Sequence, residues 1–139
     1  MHAREMLATH PHVQGNTNDA LIRCIEACAD CWQACTACAD ACLGEDMLDR
    51  LTQCIRLNLD CADCCAAAAA LASRRTGSHE ALLRTMLEAC AEACRDCGEE
   101  CEQHATQHEH CTVCARICRA CEESCREAAA STGEARAPL

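Results

Sequence analysis

Residues 24–42 read CIEACADCWQACTACADAC, and the steps between their six cysteines are four, three, four, three and four residues. In an α-helix, side chains three and four residues apart lie on the same face. The stretch therefore predicts a helix that presents a row of thiols to one side. Alternating steps of three and four are also typical of the seam along which a helix packs against its partners.

Three further segments repeat this spacing, which predicts that four helices all turn thiols towards a common core, where leucine is usual. Cys64 and Cys65 are adjacent, so both cannot lie centrally in one seam. The second helix places Asn58 where the spacing of 54, 58, 61 and 65 would accept a cysteine. The predicted thiol ligands are Cys24, Cys28, Cys31, Cys35, Cys38, Cys42, Cys54, Cys61, Cys64, Cys65, Cys90, Cys94, Cys97, Cys101, Cys111, Cys114, Cys118, Cys121 and Cys125.

Turn and capping residues divide the chain. Thr17 or Asn18 can cap a first helix that ends at Gly44, and a second helix is expected over residues 46–73. The segment RRTGSHE follows, in which Gly77 suits a helix stop and Ser78 a cap, before a third helix over 79–104. The pattern T-x-x-E at 106–109 predicts a capping box and a fourth helix to about residue 130.

These elements predict an all-α protein, an antiparallel up-down four-helix bundle with a cysteine-lined core. Residues 1–16 form a short N-terminal extension with one helical turn, 17–130 the bundle, and 131–139 a flexible tail. Because the caps and the periodicity do not depend on metal, we expect the bundle to fold without it.

Composition narrows the functional class. The 139 residues carry a net charge of −10, which argues against binding nucleic acid or an anionic membrane, and all twelve basic residues are arginine. Nineteen cysteines put the chain above the cysteine share that usually marks a disulfide scaffold. The number is odd, however, so one thiol would stay unpaired even if all the others formed disulfides. We find no secretory signal pattern and no run of 18 apolar residues. The expected location is the cytoplasm, where thiols stay reduced.

The thiol rows suit a soft metal ion better than disulfides. Cβ atoms at i and i+4 are roughly 5–6 Å apart, whereas a disulfide needs about 3.8 Å. Two sulfurs on opposite sides of one ion stand roughly 4.6 Å apart at zinc-like bond lengths. Structural zinc prefers closed sets of four ligands and iron–sulfur clusters prefer loop-borne cysteines. A continuous helical row favours Cu(I), on the order of one ion per cysteine.

Other candidate ligands cluster at one end. The two turns near residues 44 and 105 share an end of the bundle, which gathers histidines with Cys42, Cys101 and Cys111. We predict His104 and His110 as ligands at a mouth for copper, and leave His108 and Met47 open. Buried Asn58 is expected either to donate to a thiolate or to offer its oxygen to copper. Met86, at the other end, is a core residue or a ligand.

With CIEACADCWQACTACADAC on the first helix and CAEACRDCGEEC (90–101) on the third, the chain resembles the bacterial copper storage proteins over residues 17–130. The resemblance implies storage of many Cu(I) ions on bundle cysteines without catalysis. The missing signal pattern is similar to the cytosolic branch, whose members imply a homotetramer here. Ile25 and Trp32 are candidate contacts between subunits, and unidentified Cu(I) donors or acceptors are the expected partners.

Two alternatives stay open at this stage. A thiol oxidoreductase or iron–sulfur electron carrier would use Cys-x-x-Cys pairs such as Cys111 with Cys114, although these pairs fit the seam equally well. A zinc buffer would use the same thiols, and competition between zinc and Cu(I) would separate it from a copper store.

Overall fold

The computed structural model describes residues 2–77 and 79–134 and confirms the all-helical architecture. A short helix α1 precedes four long ones, and a 3-10 helix (Leu48–Leu51) leads into the third element. Each long helix packs against two others in a closed square, α2 on α3, α3 on α4, α4 on α5 and α5 on α2. The helices are α1 (Ala3–Ala8), α2 (Asp19–Leu43), α3 (Thr52–Ser73), α4 (Glu80–His104) and α5 (Glu109–Glu134).

The first helix of the bundle begins and ends as predicted. The side chain of Asn18 accepts a hydrogen bond from Leu21 N at 3.1 Å, which confirms it as the cap of α2. The helix ends at Leu43, and Gly44 follows with a right-handed φ of −87°, so glycine's access to positive φ is not used at this end. Gly77 does use it, with φ +79°, in the turn before α4. The predicted cap Ser78 lies outside the described residues.

Two predicted boundaries at the mouth end are wrong. The second helix begins at Thr52 rather than near residue 46. Glu45 pairs with His108 and His110 of the facing turn, and these contacts fix the residues after α2 in a turn. The fourth begins at Glu109, and the capping box at 106–109 does not form. The carbonyl of His108 accepts from Cys111 N at 3.0 Å instead, which places residue 108 at the start of the helix.

The last helix is longer than predicted. It continues to Glu134 instead of ending near residue 130, and Thr132 is only 2% exposed. Ser131 Oγ accepts a hydrogen bond from Asn18 Nδ2 at 2.9 Å, which ties the end of α5 to the start of α2. The rest of the predicted tail, residues 135–139, lies outside the described residues, and the division into extension, bundle and tail stays a prediction.

A conventional apolar core closes the end of the bundle opposite the mouth. Here α1 packs against α2, and Arg4 Nη1 of α1 donates to Asp19 in the first turn of α2 at 2.9 Å. Ile25 is part of the core at 8% exposure, so its prediction as an exposed subunit contact is wrong, whereas Trp32 is 47% exposed. The apolar plug consists of Leu7, Leu21, Ile22, Ala68, Ala72, Leu83, Leu87 and Ala128, all buried.

None of the described helices combines the length and the apolar character that crossing a membrane requires.

Candidate metal centre

Sulfur fills the core between the plug and the mouth. All nineteen cysteines are free thiols, and all are buried except Cys64, which is half-buried. Its neighbour Cys65 is fully buried, so Cys65 takes the seam position and Cys64 faces a groove between α3 and α4. The predicted inward rows are therefore confirmed on all four helices, and the ambiguity of the adjacent pair is settled in favour of Cys65.

The thiols of α2 and α5 interlock as triangles. Cys24, Cys28 and Cys125 have Sγ–Sγ distances of 3.9, 3.7 and 3.8 Å. Cys28 and Cys125 also share a triangle with Cys121, at 3.7, 3.9 and 3.8 Å. Each triangle takes thiols from both helices. Such edges bring three soft ligands within reach of one ion.

Helices α3 and α4 extend the same network. Cys94 Sγ lies 3.6 Å from Cys61 and 3.9 Å from Cys65. Cys61 is in turn 3.8 Å from Cys31 of α2, and Cys65 is 3.9 Å from Cys121 of α5. The sulfurs of all four helices therefore form one continuous network rather than separate rows.

These distances differ from the expected two-coordinate pairs. With metal–sulfur bonds of about 2.3 Å, sulfurs stand roughly 4.6 Å apart across a linear ion, roughly 4.0 Å in a trigonal site and roughly 3.8 Å in a tetrahedral one. The observed edges of 3.5 to 3.9 Å are those of thiols in van der Waals contact, and they bring three or four soft ligands around one point. The two-coordinate pairs predicted from i,i+4 spacing stay a prediction, and the structure adds that the thiols of each helix also contact thiols of neighbouring helices.

Neighbouring sets of four thiols share members. Cys121 belongs to two sets and so does Cys31, and the ligand atoms within a set lie within 4.8 Å of one another. Closed zinc sites need four ligands each, so sets that share thiols cannot all be filled independently. Thiolates that bridge two monovalent ions suit this arrangement. The sets include Cys28–Cys90–Cys121–Cys125, Cys31–Cys65–Cys94–Cys121, Cys31–Cys35–Cys61–Cys118 and Cys35–Cys97–Cys114–Cys118.

Asn58 lies inside the thiol network. It is completely buried, and its Oδ1 accepts from Cys97 Sγ at 3.0 Å and from Cys114 Sγ at 3.2 Å. Its Nδ2 donates to Cys54 Sγ at 3.6 Å. The predicted donation to a sulfur is therefore confirmed at Cys54, and the role of the amide oxygen as a copper ligand stays a prediction.

His110 joins the network at the mouth. Its Nε2 lies 3.0 Å from Glu45 Oε2, and because a carboxylate only accepts, this nitrogen carries the ring proton. Nδ1 is then an acceptor, and it faces Cys38 Sγ at 3.3 Å and Cys111 Sγ at 3.6 Å. With Cys42, these residues form a set of four possible ligands. A carboxylate that fixes the tautomer of a ligating histidine is a common feature of metal sites.

Glu45 is the mouth residue that sequence reasoning missed. Its carboxylate also lies 2.8 Å from His108 Nδ1, and the hydrogen bond from His110 lowers its pKa. His108 and His110 stack with their ring centroids 5.5 Å apart. An acidic residue in a turn that faces three histidines across the bundle end was the available signal.

The remaining candidates lie farther from the thiols. Nε2 of His104 lies 2.8 Å from Glu100 Oε2, and no hydrogen bond joins His104 to a thiol among the described residues, so its ligand role stays a prediction. Met47 is 47% exposed in the turn before the 3-10 helix. Met86 packs partly buried against the core.

Burial raises the pKa of two thiols at the edge of the network. At the mouth it raises the pKa of the Cys42 thiol to about 12, and in the groove between α3 and α4 it raises the pKa of Cys64. These thiols are therefore protonated at neutral pH without metal. A monovalent ion that replaces a thiol proton leaves the charge of the core unchanged, which avoids the cost of burying charge.

Comparison with known proteins agrees with this geometry. The family described as copper storage protein matches residues 17–130. The copper storage protein Ccsp from Streptomyces lividans, loaded with 10 copper equivalents, is 51% identical, with a TM-score of 0.88 over 92% of this chain and 98% of that one. No curated protein matches the chain.

Two further structures are similar. A cytosolic copper storage protein from Streptomyces lividans with five coppers is 55% identical, covering 81% of this chain and 93% of that one at a TM-score of 0.79. Apo copper storage protein 3 from Bacillus subtilis is 40% identical, covering 76% of this chain and 95% of that one at a TM-score of 0.65.

Proposed function

This chain belongs to the copper storage protein family, and we propose that it stores many Cu(I) ions on the thiolates that line its bundle. The observation that carries the proposal is the continuous thiol network, in which sulfurs from four helices approach to between 3.5 and 3.9 Å. Soft thiolates select Cu(I), and shared thiols suit bridging between ions. Binding and release are the whole function in this proposal, with no catalytic step.

The nineteen cysteines supply the capacity in this proposal, and His110 and Asn58 complete sites at the mouth and in the core. His104 is kept as a ligand that must first leave Glu100. If each ion takes two bridging thiolates the chain holds about 19 ions, and if each takes three it holds about 13.

Similarity to a relative supports a proposal for the cellular location of this protein and for its exchange partners. The Streptomyces lividans relative is described as cytosolic and was solved with five coppers. We propose that this chain likewise acts in the cytoplasm and receives copper from, or gives it to, other Cu(I) carriers. A homotetramer is proposed from the resemblance noted in the sequence.

An anaerobic titration of the reduced protein with Cu(I) against a competing chelator tests the proposal. We expect tight uptake of about 13 to 19 ions per chain, the range given by three- and two-coordinate filling. Saturation at one to four ions would contradict a store. A second titration in excess zinc tests the zinc buffer, which the four-thiol sets could also accommodate: zinc that blocks Cu(I) uptake would favour that alternative.

A further inference from the structure

The turn after α2 exposes an apolar patch beside the mouth. Leu43, Met47 and Leu48 are 58%, 47% and 42% exposed, and they are three of the eight large apolar side chains exposed in the described residues. Glu45 lies in the same turn and binds His110, which contacts the thiols of the network. The apolar patch, defined as residues 43, 47 and 48, therefore adjoins the place where the thiol network reaches the surface.

Negative charge surrounds this patch. Residues 43–50 and 100–110 contain six carboxylates and one arginine, so they hold half of the net charge of −10. Of the six, Glu102 has an arginine partner, Arg119, at 2.9 Å. At the plugged end, acidic residues are more generally paired, as in Arg4 with Asp19 at 2.9 Å and Arg75 with Glu80 at 3.1 Å. Negative charge that no arginine neutralises is therefore concentrated at the mouth.

We propose that the apolar patch and its acidic surroundings dock a Cu(I) carrier whose copper-bearing face is cationic and partly apolar. This inference rests on the proposed storage function and adds the kind of partner that delivers the ion. Every thiol except the half-buried Cys64 is buried, so the proposed meeting point with a carrier is His110, where the thiol network reaches the surface. Charge of one sign around such an opening raises the rate of encounter with a partner of opposite sign. Exposed apolar contact then holds the encounter complex while the ion is exchanged.

Two synthetic carriers test the charge preference. Each is a peptide that binds one Cu(I) through two cysteines and carries a fluorophore quenched by the metal; lysine and leucine flank the cysteines in one, glutamate and leucine in the other. Stopped-flow recovery of fluorescence gives the transfer rate. We expect transfer from the lysine peptide to be at least about tenfold faster at low ionic strength, and the difference to shrink in high salt.

Matched variants locate the preference. Asp46→Asn with Asp49→Asn should reduce the preference for the lysine peptide about threefold or more. Glu88→Gln with Glu123→Gln makes the same change in net charge in the half of the bundle that contains the plug and should leave the preference largely unchanged. An equal loss in both variants, or no preference in the wild type, would overturn the proposal.

The apolar part has its own control. Leu43→Ser with Leu48→Ser should slow transfer from the lysine peptide, whereas Leu82→Ser, 42% exposed near the start of α4, should not. If the double variant instead changes the oligomeric state measured by light scattering, the patch is a contact between subunits and the docking proposal is wrong. Copper capacity is measured on every variant: full capacity without preference contradicts only docking, whereas low capacity in the wild type contradicts storage.

Discussion

Replacing Asn58 tests whether its amide organises the thiol core. Asn58→Ala removes the acceptor of Cys97 and Cys114, at 3.0 and 3.2 Å, and the donor to Cys54. A buried donor left without a partner costs about 1–3 kcal/mol, and thiols are weak donors, so each falls at the low end. For two thiols we expect the metal-free protein to lose about 2 kcal/mol of its free energy of unfolding.

Asn58→Cys provides the contrast. A thiol at this position completes the seam of α3 and can accept from Cys97 and Cys114, so the expected loss is below about 1 kcal/mol. Urea unfolding of the reduced, metal-free proteins, followed by far-ultraviolet circular dichroism, measures both values. Cys64→Ser, a half-buried site outside the triangles, is the control for handling and oxidation.

The two variants also separate structure from metal binding. We expect Asn58→Cys to raise the Cu(I) capacity by about one ion, since it adds a thiolate to the network, and Asn58→Ala not to. If Asn58→Ala is as stable as the wild type, the amide does not hold the thiols in place and the reasoning from its hydrogen bonds fails.

Three further predictions concern the fold, the mouth and the capacity. The reduced, metal-free chain should give a fully helical circular dichroism spectrum, because caps and plug do not involve metal; an unfolded spectrum would contradict this. His110→Ala should slow Cu(I) uptake in stopped-flow measurements while removing about one ion at most, and His12→Ala, remote from the mouth, should change neither. Cys35→Ser should lower the capacity by at least about one ion because Cys35 belongs to two four-thiol sets, whereas Cys64→Ser should have a smaller effect.

Spacing along each helix was enough to predict which residues face the core. The six cysteines of α2 are all buried, and Asn58 is buried at the seam position that the spacing predicted for it. Such positions depend only on the helical repeat, which the sequence states directly. The end of α2 at Leu43 was also predicted from Gly44, although this glycine has φ −87° and the helix ends without the left-handed conformation that glycine allows.

Contacts between helices could not be predicted in this way. Whether Cys31 meets Cys61 depends on the axial offset of α2 and α3, and the turn between them sets that offset. That turn is held by Glu45, whose partner His110 is 65 residues away in the sequence, and the start of α3 was therefore misplaced. The same limit explains Ile25, which lies beside the seam and is covered by neighbours that spacing alone does not reveal.

The distribution of apolar residues makes the two ends of the bundle different, since one is closed by leucines and the other is open to ions. Cysteine buries less apolar area than leucine, so a core of thiols contributes less to stability than an ordinary core. The leucines that compensate, such as Leu83 and Leu87, are gathered in the plug, where they offer no ligand to copper. Sulfurs within the network lie 3.5 to 3.9 Å from their neighbours, so stored ions can pass from thiol to thiol, and the plug leaves the His110 end as the proposed route of entry and exit. Stability and access are thus assigned to opposite ends of one bundle, and the ions nearest the mouth should be the first to exchange.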